Sequence, residues 1–190
     1  MTRNRGLAYT GVRVGAERIA NPAGPRANPW LFVLAGGLVA GALDILYACV
    51  FWGVRRGVPA RRIFQSVAAG VLGKATFDGG WSSAALGLAL HFFIAISMAV
   101  AYYLVARRWP LLWRQPWLCG AVYGVFLYAF MNYVVVPLSR AGAGSKDVLW
   151  ITLSVLVHMV LVGIPCAVFA RRAMMAQGAG GRASEAWPNT

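Results

Sequence analysis

Residues Trp30 to Trp52 read WLFVLAGGLVAGALDILYACVFW, an apolar run bracketed by tryptophans with a single carboxylate, Asp44, past its middle. No other feature of the chain restricts its fold so strongly. At about 1.5 Å per residue, a helix over this run covers roughly 34 Å, enough to cross a hydrocarbon core of about 30 Å with some tilt. A core strand or a helix of a water-soluble domain rarely needs so long an unbroken apolar stretch. Inserting Asp near a helix centre costs on the order of 3 kcal/mol, so Asp44 is expected to face other helices or water rather than lipid.

Three further runs repeat the pattern: Ser83 to Ala106, Trp117 to Leu138 and Val148 to Ala170. The chain is 59% hydrophobic and only 12% charged, outside the balance of an ordinary soluble domain. The expectation is an all-α, polytopic membrane protein with four transmembrane helices, at 30–52, 83–106, 117–138 and 148–170.

The first connection carries a pattern of its own. Ile63, Phe64, Val67, Ala68, Val71, Leu72 and Ala75 recur at helical spacing, with Arg61, Arg62, Gln65, Ser66 and Lys74 on the other side. This predicts an amphipathic helix over about 60–76. Such a helix either lies in the interface or, given the small residues Ala69, Gly70 and Gly73, re-enters toward Asp44. Asp78, Gly79, Gly80 and Trp81 then turn the chain back. The ends, 1–29 and 173–190, read as disordered tails, the first of them basic, and no apolar segment of signal-peptide type precedes the first span.

The net charge of +13 lies almost wholly in the tails and connections, the usual distribution of Lys and Arg in a membrane protein. Anionic lipid headgroups are therefore the expected partner, and nucleic acid is not. With four spans both termini share a side. That side holds eleven of the 18 basic residues, which favours cytoplasmic termini. Cys49, Cys119 and Cys166 are odd in number and sit within apolar runs, so no disulfide framework is expected. HExxH, CxxC, HxxxH, GxSxG, a Walker loop and a dinucleotide fingerprint are all missing. The reading predicts no classical enzyme activity, no cofactor and no metal site.

Two small-residue steps mark packing faces, Gly37 and Gly41 in the first span and Gly120 and Gly124 in the third. They suit either contacts within the bundle or a homo-oligomer. The halves also resemble each other: in each, a span with this step precedes a span that holds one His and ends in Ala-Arg-Arg. This suggests two helical hairpins in parallel topology.

Counting depth along each span places the intramembrane polar residues. Asp44 lies about 5 Å beyond its span's centre, His91 about 5 Å, Asn132 about 7 Å and His158 within about 2 Å, all toward the same face. Asp44, His91, Asn132 and His158 thus form the candidate polar cluster, with Gln65 and Asp78 as secondary candidates. A carboxylate beside an imidazole can exchange a proton, and His responds to mild acid because its ordinary pKa is about 6.5. The leading expectation is a small proton- or ion-linked membrane protein, acting in transport or acid response. Its rival is a structural or partner-binding protein in which the same groups only hold helices together. A third reading, bis-His haem ligation by His91 and His158, lacks an evident propionate partner.

GLVAGALDILYA, RIFQSVAAGVLGK, LHFFIA, MNYVVVPLS and HMVLVGIP, spread over 30–172, resemble the YagU-like family of small bacterial inner-membrane proteins. The resemblance implies a multi-pass inner-membrane protein of unsettled function and supplies no catalytic residues. It falls on Asp44, His91, Asn132, His158 and Gln65.

Overall fold

The structure is a computed structural model that describes residues 28–142 and 144–185, with side chains described as far as Gln177. Its elements in chain order are α1 (Pro29–Arg56), α2 (Ala60–Leu72), a 3-10 segment (Gly73–Asp78), α3 (Gly80–Ala106) and a short α4 (Pro110–Arg114). There follow α5 (Pro116–Phe130), a π-helical stretch (Met131–Val135), α6 (Val136–Leu138), α7 (Val148–Val157), a second π-helical stretch (His158–Gly163) and α8 (Ile164–Glu185). The fold is all-α, with no strand among the described residues. Four stretches are long and apolar enough to cross a membrane: Pro29–Arg56, Gly80–Ala106, Pro116–Leu138 and Val148–Gln177.

The ends of α1 follow from local chemistry. Asn28 caps it, its side chain accepting from the Trp30 N–H at 3.0 Å, and Pro29 takes the first helical position, where no N–H is needed. Gly57 stops it in the left-handed region at φ 64°, and Arg55 and Arg56 stand at the negative end of the helix dipole.

Side-chain size sorts by environment in the way lipid demands. The buried core along α1, α3 and the fourth span is built largely from Ala40, Ala99, Ala106, Ala167, Ala170 and Ala173, while Leu38, Leu46, Phe93, Leu118, Val122 and Val160 point outward. Lipid tails are as apolar as leucine, so helices in a membrane gain from close backbone approach, which small residues permit. The glycine steps do this inside the bundle. A Cβ on Gly37 would lie 2.6 Å from the Ile96 Cα of α3, and one on Gly41 would press on Ala95 and Phe92. In the second half Gly120 abuts Ile164, and Gly124 abuts the backbone of His158 and Met159. Each glycine step therefore packs on the next span of its own half. Both are used within the chain, which leaves neither face free for a second copy.

Pro137 and Pro165 each stand two residues beyond a π-helical stretch. A proline ring clashes with the carbonyl four residues back and offers no N–H. A widened turn ahead of it displaces that carbonyl, with Val136 and Ile164 donating instead to Met131 and Met159, five residues back.

Two expectations need correction. The fourth helix does not give way to a disordered tail at 173: α8 continues to Glu185, Ala173 is fully buried, and Gln177 Nε2 donates to the Tyr103 hydroxyl at 2.8 Å. The Cys166, Ala167, Ala170, Ala173 stripe carries the packing face past the arginines. Of the expected tails, residues 1–27 and 186–190 lie outside the described residues. In α2, Gln65 belongs to the inner face and is fully buried, whereas Val71 and Leu72 are exposed. At a membrane surface the apolar side chains can face lipid while an amide turns inward to find carbonyls.

Candidate functional site

Asp44 is carried on α1 one turn beyond Gly41, the glycine pressed against α3. That register turns its carboxylate toward the bundle interior, where it lines two neighbouring cavities of about 200 and 210 Å³. His91 of α3, His158 at the head of the second π-helical stretch and Val67 of α2 line both as well. Three of the four expected cluster residues therefore meet.

Each imidazole is anchored by one nitrogen. His91 Nε2 donates to the Gly41 carbonyl at 2.8 Å, joining α3 to α1, and His158 Nδ1 donates to the Ser154 carbonyl at 2.8 Å. A carbonyl only accepts, so these bonds fix where one proton sits on each ring. His91 Nδ1 and His158 Nε2 are the positions left to gain or lose a proton. The Asp44 Oδ1 stands 3.8 Å from His158 Nδ1, inside the range of charge pairing and too long for a direct hydrogen bond. The two side chains keep 25% and 17% of their surface accessible, which places both at the cavity walls rather than in sealed packing.

Around this centre lie residues that depth counting along the spans did not single out. Ser154 is buried, and its hydroxyl lies 3.5 Å from the Tyr47 hydroxyl. Tyr128 meets the His158 ring edge-on at 5.4 Å, and Tyr47 stacks on Trp150 at 5.3 Å. Ser154 was visible as a hydroxyl one helical turn before His158. Val67 was visible in the amphipathic stripe, but nothing in that stripe said which span it would meet.

Asn132 does not join the cluster. Its amide donates to the Tyr128 carbonyl of its own helix at 2.9 Å, and it lines a separate groove of about 490 Å³ with Ser139, Ser145 and Lys146. The Gly120, Gly124, Leu127 stripe runs on to Met131, one residue and about 100° away, and Met131 is the side chain that reaches the Asp44 cavity. Depth agreed while direction did not. Asp78 is exposed at the end of the 3-10 segment and lines neither cavity.

Gln65 has a different task. Its Nε2 lies 3.2 Å from the Thr76 carbonyl, 3.0 Å from the Gly80 carbonyl and 3.0 Å from Ser83 Oγ, so one amide ties α2 to the 3-10 segment and to the start of α3. The other end of α2 is held by Arg140, whose backbone N–H donates to the Gly70 carbonyl at 2.9 Å. Between these moorings Val67 faces the cavities. The helix thus forms a strap over the Asp44 site, running from the start of the second span to the end of the third.

The same end of the bundle carries an ion pair outside the spans. Asp147 caps α7 by accepting from the Leu149 and Trp150 N–H groups, and Arg55 Nε donates to it at 3.2 Å. The Trp150 N–H foremost, with Arg55 beside it, holds the Asp147 carboxyl below the usual carboxylate range. Among the described residues no group of three His, Cys, Asp or Glu side chains is placed to hold a metal ion.

Four apolar membrane-length helices around a sparse polar centre define a multi-pass integral membrane protein. Comparison with protein-family models, curated proteins and solved structures yields no match.

Proposed function

We propose that the chain is a small proton-linked membrane protein whose titrating centre is Asp44, with His158 and His91 as proton partners. The observation that carries this reading is the shared lining: one carboxylate and two anchored imidazoles from three different spans border the same two cavities. Ionisable groups inside a membrane are costly and mark proton or ion paths when they face an internal cavity. The role covers either transport or a response to acid. A bacterial inner membrane with cytoplasmic termini and anionic headgroups around the basic connections completes the reading, supported by the arginine distribution and by the YagU-like motifs.

The test is a pH jump across proteoliposomes loaded with a pH-reporting dye. Wild-type protein is expected to dissipate the gradient, and Asp44→Asn to abolish this while keeping its thermal stability in detergent. Full activity in Asp44→Asn would sink the proposal. A purely structural role is favoured for one member by a specific contact, the His91 bond to the Gly41 carbonyl, which clamps α3 to α1. On that reading Asp44→Asn changes stability alone.

A further inference from the structure

We propose that the seam between α3 and α5 is a lateral entrance for a lipophilic monocation, an apolar or aromatic body carrying one positive charge that pairs with Asp44. This deepens the reading of Asp44 above and rests on it for the proton step. A groove of about 400 Å³ opens along the seam, walled by Phe93 and Met98 of α3 and by Tyr123, Phe126 and Phe130 of α5. Phe93 and Phe126 are exposed on the lipid-facing exterior, so the mouth meets the bilayer rather than water.

The groove abuts the Asp44 chamber. Ile94, Met98 and Met131 line it and also line the 200 Å³ cavity that holds Asp44, His91 and His158. Three side chains thus form the common wall between an apolar slot and a polar chamber. Two of them are methionines, whose unbranched, polarisable chains adapt to irregular guests.

The charge of the occupant follows from the lining. Among the described side chains no Lys or Arg borders the groove or either Asp44 cavity, and Asp44 is the one carboxylate of the four spans. The groups that face it are His91 from α3, His158 from the fourth span and Tyr47 from α1; α2 contributes Ile63, Ser66 and Val67, none of which titrates. From α5 the titratable side chain at the site is Tyr128, against the His158 ring. A cation entering between aromatic faces meets favourable ring quadrupoles and then a carboxylate, whereas an anion of the same shape meets repulsion. The exchange balances: protonated Asp44 releases its proton to water as the cation takes its place beside the carboxylate, one positive charge in for one out.

The experiment uses the full chain in phosphatidylcholine nanodiscs. Tetraphenylphosphonium is the probe and tetraphenylborate, nearly the same body with opposite charge, the control. The expected result is saturable tetraphenylphosphonium binding above empty nanodiscs, about tenfold to hundredfold weaker in Asp44→Asn, restored in Asp44→Glu, and lost in Met98→Trp, where the indole fills the common wall. Tetraphenylborate shows no saturable binding. Three outcomes overturn the proposal: no tetraphenylphosphonium binding, binding indifferent to Asp44→Asn, or equal binding of both ions, which means a groove filled by bilayer lipid and apolar guests alike. Asp44-dependent cation binding without a pH response keeps the entrance and rejects proton linkage. A pH response without cation binding does the reverse.

Discussion

Replacing Gln65 by Leu removes an amide while nearly keeping side-chain volume, so it isolates the polar mooring of α2. The amide has two N–H bonds to share among the Thr76 carbonyl, the Gly80 carbonyl and Ser83 Oγ. At about 0.5–1.5 kcal/mol net for each bond, the loss is about 1–3 kcal/mol. It is softened because Ser83 Oγ also donates to the Thr76 carbonyl at 2.6 Å and keeps that acceptor occupied. The effect is local, since the mooring holds the strap and not the seams between spans. Backbone amides of 60–78 are expected to exchange with deuterium roughly five- to hundredfold faster, while those in the middle of α1 and α8 keep their protection. Ser66→Ala, the next residue on the same helix, serves as the control, because its exposed hydroxyl donates to the Ile63 carbonyl of its own turn and takes no part in the mooring. Unchanged exchange in Gln65→Leu would refute the mooring; uniform loss across all four spans would show that Gln65 supports the whole bundle.

Two other perturbations probe the frame. Gly124→Ala drives a methyl into the His158 backbone, and overpacking of this kind costs about 1–3 kcal/mol, read as a lower unfolding temperature in detergent; an unchanged value would mean the seam is not rigid. Asp147 has its carboxyl lowered in the fold, so its contribution to stability is fully present above its unfolded pKa near 4 and is lost as pH falls through the lower folded value. Wild-type stability is therefore expected to fall more steeply below about pH 4 than that of Asp147→Asn, which keeps a side-chain oxygen to cap α7; parallel curves would remove the ion pair from the account.

The spans were legible because length and apolarity alone decide them: α1 differs from the run between Trp30 and Trp52 by one residue at the start and one turn at the end. The glycine steps were legible as packing faces, and their partners emerged only in three dimensions. What the sequence concealed was direction. Gln65 sits among arginines in the α2 pattern, and a rule written for water puts it outside; next to lipid the amide goes inward. Asn132 matched Asp44 in depth, yet the face marked by Gly120 and Gly124 leads to Met131. The continuation of α8 beyond Arg171 and Arg172 was hidden because arginines usually signal the end of a span, whereas Ala173 and Met174 still pack against the core.

The seams closed by glycine and alanine have a mechanical corollary. Where main chain touches main chain there are few rotamers to reshuffle, so these junctions offer thermal motion almost no soft coordinate. Hairpins joined in this way move as blocks. Breathing of the chamber around Asp44 is left to its pliant borders, the valine on the strap and the two methionines in the wall.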